Sequence, residues 1–313
     1  MSGAAGPFSL KAVVLAMRPS QWTKNVLVLA AFFFAIGDRT RERPLGPMDL
    51  LLVIAGAALF CLASSGIYLL NDIHDVEADR QHPTKRLRPV AAGSLSIPAA
   101  AGFAFFWLAV ALGGAWLLSH RFFIVLAAYV AMQTVYTYAL KRLALVDVMV
   151  IAIGFVLRAI AGALVLAGVT ISPWLLICTF LLALFLALCK RRHELLLSPD
   201  TGNPHRESLQ DYDERLLDQL IAITAAATVV SYSVYTLWPQ TILKFKSAGL
   251  GFTIPFVVFG IFRYLDVVYR HEQGGRPEKI LLSDVPLIVD LVLYAVVAAA
   301  VFLFPNLVHS ILP

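Results

Sequence analysis

Residues 71–80 read NDIHDVEADR, in which Asp72, Asp75 and Asp79 recur at intervals of three and four and Asn71 precedes the first of them. If the helix runs on through residue 79, at 100° per residue, the three carboxylates fall within about 60° of one another. Asn71 then sits beside Asp75 on the same flank, while His74 and Glu77 point to roughly the opposite side. Like charges this close repel one another and call for a cation between them. Every donor on that face is a hard oxygen, which suits Mg²⁺, an ion usually held by one or two carboxylates together with substrate phosphates. Asn71, Asp72, Asp75 and Asp79 are therefore the candidate metal ligands. The competing reading is a solvated helix end, which needs no clustering on one face.

A basic stretch follows, RQHPTKRLRPVAAG, with Arg80, Lys85, Arg86 and Arg88. Carboxylates for a metal beside Lys and Arg for phosphate oxygens make a diphosphate site. Pro83 and Pro89 shape this segment as a loop and Gly93 permits a turn. Membrane topology alone is the competing explanation for these charges.

The elements that carry these residues are membrane spans. Of the 313 residues, 59% are hydrophobic and only 14% charged, against about 25% charged in a soluble domain. The apolar mass falls into about nine runs, near 20–37, 49–72, 97–119, 121–139, 146–168, 172–189, 217–238, 249–269 and 285–305. Each is close to the roughly 20 residues that cross a bilayer. In lipid every backbone polar group must be satisfied internally, so the runs are expected to be helices, and the alternation of a β-barrel is missing. The fold class predicted is all-α: one polytopic membrane domain over 1–313, its bundle at about 10–305. Arg18 and Lys24 break any cleavable apolar leader, and the stretch 9–22 is compatible with an interfacial helix. Cys61, Cys178 and Cys189 are widely spaced and read as packing residues.

Charge is distributed by side. Seventeen Lys and Arg fall in the N-terminal segment and the loops after spans two, four, six and eight, and six fall in the alternate loops. The positive-inside rule places the first group, with the N-terminus, in the cytoplasm, and nine spans leave the C-terminus outside. This is not the charge pattern of a nucleic-acid binder. The two long polar loops, 73–96 and 190–216, are both on the cytoplasmic side, so the active site is expected there, capped by those loops. No internal repeat supports the inverted-repeat design of many transporters.

Arg158, in DVMVIAIGFVLRAIAGA, lies eleven residues beyond Asp147, about 16 Å further along a helix. An arginine at that depth is costly and functional by default. It is expected to line a cavity and reach a phosphate or a carboxylate; a structural ion pair is the alternative. Asp147 reads either as a ligand at the cavity mouth or as a helix start.

NDIHDVEADRQHPTKRLRPVAAGSLS resembles the first Asp-rich motif and following loop of the UbiA-type intramembrane prenyltransferase superfamily, with its N-D-x-x-D-x-x-x-D pattern at Asn71, Asp72, Asp75 and Asp79. MRPSQWTKN, VYTYALKRLALVDVMVIAIGFVLRAIAGA and CKRRHEL resemble the branch of decaprenyl-phosphate phosphoribosyltransferases, over about 10–305. The resemblance implies nine helices around a central cavity, capped on the cytoplasmic side and open laterally to lipid. It implies Mg²⁺, a diphosphate-bearing substrate and a multi-pass protein of the plasma membrane. The activity implied is transfer of 5-phosphoribosyl from phosphoribosyl diphosphate to a polyprenyl (decaprenyl) phosphate, for arabinan precursors of the cell wall. A homo-oligomer is compatible with this.

The second Asp motif of the superfamily is not matched. After span six the chain reads HELLLSPDTGNPHRESLQDYDERLLDQL, where Asp211 and Asp218 share a face with Glu214 nearby, but Arg215 lies there too. Prenyl diphosphate as donor is correspondingly weakened. The tyrosine–lysine element is offset as well, the pairs being Tyr136 with Lys141 and Tyr138 with Arg142. Both chemistries expel pyrophosphate through a stabilised cation, so the protein's task is to neutralise the leaving group. A lipid phosphate oxygen is already anionic and needs no general base. Asp72, Asp75, Asp79, Lys24, Lys141 and Arg158 are the catalytic candidates. Lys24, Lys85, Arg86, Arg88, Tyr136, Lys141, Arg142 and Arg158 are phosphate-binding candidates with Asn71. Lys190, Arg191 and Arg192 read either as receptors for the 5-phosphate or lipid phosphate or as a topology anchor. The alternatives to this activity are prenyl transfer to an aromatic or other acceptor, and transport of a lipid phosphate.

Overall fold

The computed structural model describes residues 9–197, 207–270 and 277–304, and among them every regular element is helical. The middle of the 190–216 loop and the expected outside C-terminus therefore lie beyond the described residues. A short helix α1 (Leu10–Ala16) leads through a 3-10 helix, Pro19–Val26, into α2 (Leu27–Ile36). Then follow α3 (Pro47–His74), α4 (Val76–Gln81), α5 (Ile97–Leu118), α6 (His120–Tyr138), α7 (Val146–Val165) and α8 (Pro173–Leu196). The last five are α9 (Glu214–Leu237), α10 (Pro239–Phe245), α11 (Ile254–Arg270), α12 (Pro277–Ser283) and α13 (Val285–Leu303).

Local sequence explains the helix starts. Pro47 and Pro173 each occupy a first position, where an N–H has no intrahelical partner to lose. The Gly46 N–H donates to Asp49 Oδ2 at 2.8 Å, so an acid meets the positive end of the α3 dipole. Asp284 Oδ1 accepts from the Leu287 N–H at 3.1 Å and caps α13.

Seven described helices are long and apolar enough to cross a bilayer, among them α3, α5, α7, α8, α9 and α13 and the segment Gly249–Arg270. Two of the nine expected runs fall short of that measure. The first is helical only over ten residues in α2, because Pro19–Val26 winds as a 3-10 helix. The other is α6, nineteen residues long, diluted by His120, Arg121 and Gln133.

The two largest clusters of buried residues lie on either side of α7. One gathers Phe60, Phe122, Leu126 and Tyr129 between α2, α3, α6 and α7. The other gathers Phe185, Leu188, Leu217, Ile221 and Tyr264 between α8, α9 and α11. Helix α7 packs against both α2 and α8 and joins the two. Its approach to α2 is set by Gly162, where a Cβ would stand 2.0 Å from the Val28 carbonyl oxygen. Small residues at such points let helix backbones meet in a membrane, where hydrophobicity does not drive helices together.

Candidate active site

The acidic motif is not one continuous helix. Helix α3 stops at His74, and Asp75 adopts φ −95°, ψ 8° before α4 resumes at Val76. This break overturns the expected single face and splits the carboxylates into two groups. Asp72 and Asp79, at 1% and 2% exposure, turn inward together. Arg88 Nη1 donates to Asp79 Oδ2 at 2.5 Å and to Asp72 Oδ1 at 3.3 Å, and Arg18 pairs with the same Asp72 oxygen. Asp75 faces elsewhere. Lys141 Nζ donates to its Oδ1 at 2.5 Å and lies 3.5 Å from Asn71 Oδ1. His74 Nδ1 is 2.8 Å from Asp75 Oδ1, so the histidine shares the flank it was expected to avoid.

Each cation arrives from a different part of the chain. Arg18 ends α1 in the left-handed region, φ 53°, and turns the chain into the 3-10 helix. Arg88 follows the 3-10 turn Lys85–Leu87, extended as a residue before proline must be, and Gly93 closes that loop at φ 76°. Lys141 sits on the 3-10 turn Leu140–Arg142 between α6 and α7. Three carboxylates thus face three cations, a balanced cluster in a partly buried place. Burial works to raise the Asp75 pKa, but the hydrogen bonds from Lys141 and His74 outweigh it and hold the carboxyl below its ordinary range.

With cations standing between them, no three acidic, histidine or cysteine side chains among the described residues converge as a metal site. The donor set nevertheless fits a hard divalent ion. It is all oxygen, it is confined to two turns of chain, and Asp72 Oδ2 is buried with no hydrogen-bond partner.

One turn before Asp72 begins a cavity of about 450 Å³, walled by α3, α6, α7 and α8 and lined also by Leu281 and Leu282 of α12. Tyr68 belongs to its wall and carries the Arg18 guanidinium 4.9 Å from its ring centroid, which ties cavity to cluster. Among the described residues the wall holds four cations, Lys24, Arg158, Lys190 and Arg191, and no carboxylate. Tyr136 and Gln133 add polar groups, and Ile67, Ile151 and Leu186 add apolar surface.

Arg158 is 4% exposed and its partners are neutral. Its Nε donates to Asn25 Oδ1, Nη1 to the Gly154 carbonyl and Nη2 to the Tyr129 hydroxyl, each at 2.8 Å. No described carboxylate pairs with it, and its side chain lines the cavity.

The triplet at the end of α8 divides. Lys190 and Arg191 line the cavity. Arg192 turns away, against the expectation of a phosphate receptor. It donates to Asp218 at 2.7 Å and to Glu214 at 2.8 Å and stacks 4.2 Å over Tyr269. That consumes the acids of the degraded second motif, while Asp211 is exposed on a 3-10 turn. Asp147 stands in the first turn of α7, as the helix-start reading has it, and does not line the cavity. It is fully buried, accepts from Arg191 Nε at 2.7 Å and from the Tyr212 hydroxyl at 2.8 Å, and so anchors the cavity wall. Burial and the adjacent Asp147 carboxylate push the Tyr212 phenol upward, which keeps it a donor. Arg86 and Arg142 are exposed, and neither they nor Lys85 line the cavity.

Sequence reasoning missed Arg18, Asn25 and Tyr129 as site residues. Arg18 and Asn25 lie in the MRPSQWTKN segment, which marked the region but not their partners, 54 and 133 residues away.

Residues 26–193 match the model of the UbiA prenyltransferase family. The chain is 38% identical over 277 residues to a decaprenyl-phosphate phosphoribosyltransferase of Corynebacterium glutamicum, covering 87% of this chain and 81% of that one. It is 38% identical over 274 residues to the protein of the same name from Mycobacterium tuberculosis, covering 87% and 88%. A solved UbiA homolog from Archaeoglobus fulgidus bound to GPP and Mg²⁺ superposes with a TM-score of 0.69 at 20% identity, over 93% of this chain and 99% of that one.

Proposed function

Because the chain belongs to the UbiA prenyltransferase family, we propose that it transfers 5-phosphoribosyl from phosphoribosyl diphosphate to a polyprenyl phosphate, decaprenyl phosphate being the lipid named in its relatives. The product then serves arabinan precursor synthesis. The observation that carries this reading is a cavity wall with four cations and no carboxylate among its described residues, beside a balanced acid–cation cluster. Phosphoribosyl diphosphate and a lipid phosphate bring two phosphates besides the diphosphate and need such a wall; a prenyl diphosphate with an aromatic acceptor brings the diphosphate alone.

Asp72 and Asp79 on one side of the break and Asn71 and Asp75 on the other are the oxygen donors that would hold Mg²⁺, which would neutralise charge on the pyrophosphate leaving group. Lys141, Arg88 and Arg18, now spent on carboxylates, are then released to phosphate oxygens. The C1–O bond to the diphosphate breaks, its electron pair leaves with pyrophosphate, and a lipid phosphate oxygen forms the new bond to C1. That oxygen is anionic, so no proton has to move, and His74 is left to orient Asp75 and Lys141. Lys24, Lys190 and Tyr136 bind phosphate groups in the cavity, and Leu281 and Leu282 of α12 accept the first isoprene units. The excess of basic residues on one side supports a cytoplasmic site, and the plasma membrane is the membrane this reading assigns. Prenyl transfer to an aromatic acceptor wants a second acid cluster, and here Glu214 and Asp218 are spent on Arg192.

The test is pyrophosphate release by purified protein given Mg²⁺, phosphoribosyl diphosphate and polyprenyl phosphate. Release that needs both substrates and is abolished by EDTA and by Asp75→Ala supports the reading. Release that survives either removes the metal role.

A further inference from the structure

Arg158 is a buried cation with no carboxylate partner among the described residues. A guanidinium has five N–H donors, and three are used, all on neutral oxygens. Nη1 and Nη2 each keep one N–H, and the side chain lines the cavity. Its plane is fixed between aromatic rings, Tyr129 at 4.8 Å and Phe155 at 5.3 Å from the guanidinium carbon. A fixed, buried, unpaired guanidinium is a receptor for an anion brought from outside.

Its position relative to the acids is set by α3. Asn25, which accepts from Arg158, donates to Ser64 Oγ at 3.2 Å. Ser64, Tyr68 and Asp72 are one turn apart in succession, and the first two line the cavity. The receptor therefore lies about 12 Å from Asp72 along the helix, with the cavity between. A prenyl diphosphate bound at the acids would press its hydrocarbon toward that charge, which is costly. A pentose carrying a second phosphate would instead deliver an anion to it.

We infer that Arg158, held by Asn25, Tyr129 and the Gly154 carbonyl, is the specificity-determining receptor for the donor phosphate remote from the bond that breaks, and that it makes the cavity accept a phosphorylated sugar diphosphate and refuse a prenyl diphosphate. This rests on the phosphoribosyl-transfer reading above and deepens it.

Two variants test it. Arg158→Gln removes the charge. Asn25→Asp keeps the arginine and its packing but supplies a carboxylate at Nε, neutralising the receptor in place. In both, the KM for phosphoribosyl diphosphate rises about 100-fold, the effect of losing two charge-assisted hydrogen bonds, and inhibition by ribose 5-phosphate weakens in step. Inhibition by pyrophosphate and the KM for polyprenyl phosphate stay within about 3-fold, and Arg158→Lys recovers part of the loss. A rise in the lipid KM instead assigns Arg158 to the lipid phosphate and overturns the inference. Equal weakening of pyrophosphate inhibition in Asn25→Asp shows a structural role and overturns it too. Wild-type protein that does not turn over phosphoribosyl diphosphate refutes the underlying reading; turnover with an unmoved donor KM in Asn25→Asp refutes only this inference.

Discussion

Asp147→Asn isolates the pair that fixes the cavity wall. Asp147 is fully buried and Arg191 is 2% exposed. The carboxylate accepts from Arg191 Nε at 2.7 Å and from the Tyr212 hydroxyl at 2.8 Å. Asparagine keeps the shape but offers one oxygen and an NH₂, which must face a donor whichever way the amide turns. Removing one partner of a buried pair costs about 3–5 kcal/mol. Glu194, also paired with Arg191, remains and retains part of the charge balance, so the loss is expected at about 3 kcal/mol. Arg191→Met in the same background removes the orphaned charge, and Glu194 keeps Lys190 at 3.9 Å. The double variant is therefore expected to lie within about 1 kcal/mol of wild type. Reversible denaturation in detergent, followed by tryptophan fluorescence, measures all three. A single variant within about 0.5 kcal/mol of wild type, or a double variant as unstable as the sum of the singles, would refute the claim that this pair is a buried, mutually dependent anchor.

Gly162→Ala puts a Cβ 2.0 Å from the Val28 carbonyl; backbone must move, and a loss of about 1–3 kcal/mol is expected in the same denaturation assay. Arg192→Ala is expected to leave KM for both substrates within about 2-fold, because Arg192 turns away from the cavity to Glu214 and Asp218 on α9; Lys190→Ala, whose side chain lines the cavity, is expected to raise one of them. In metal-free protein the Asp75–Lys141 pair should be pH-dependent. Its folded pKa is depressed, so its contribution is complete above the ordinary aspartate value near ~3.9 and is lost as pH falls below that. Lys141→Met flattens that acid limb, and stability curves from pH 3 to pH 7, roughly spanning that titration, check it.

The spans and the motif were legible in the sequence because a charge-free run such as 50–70 can be stable only as a buried or lipid-facing helix. Arg158 was legible for the same reason, its charge standing out against its surroundings. The break at Asp75 was not, since NDIHDVEADR contains neither glycine nor proline to announce it, and tertiary pairing with Lys141 on one side and Arg88 on the other holds the turn. Nor were the partners of the basic residues. Lys190, Arg191 and Arg192 are consecutive, yet helical rotation sends two to the cavity and one to α9, and only packing against neighbours fixes which. Arg18 was hidden because its role depends on a left-handed turn and on a carboxylate 54 residues away.

The central claim, phosphoribosyl rather than prenyl transfer, is tested most directly by the mass of the lipid product. Purified protein with Mg²⁺ and decaprenyl phosphate is offered phosphoribosyl diphosphate and geranyl diphosphate together. The account predicts a lipid that has gained one phosphoribosyl group, with the geranyl diphosphate untouched. A geranylated product, and no phosphoribosyl lipid, would contradict it.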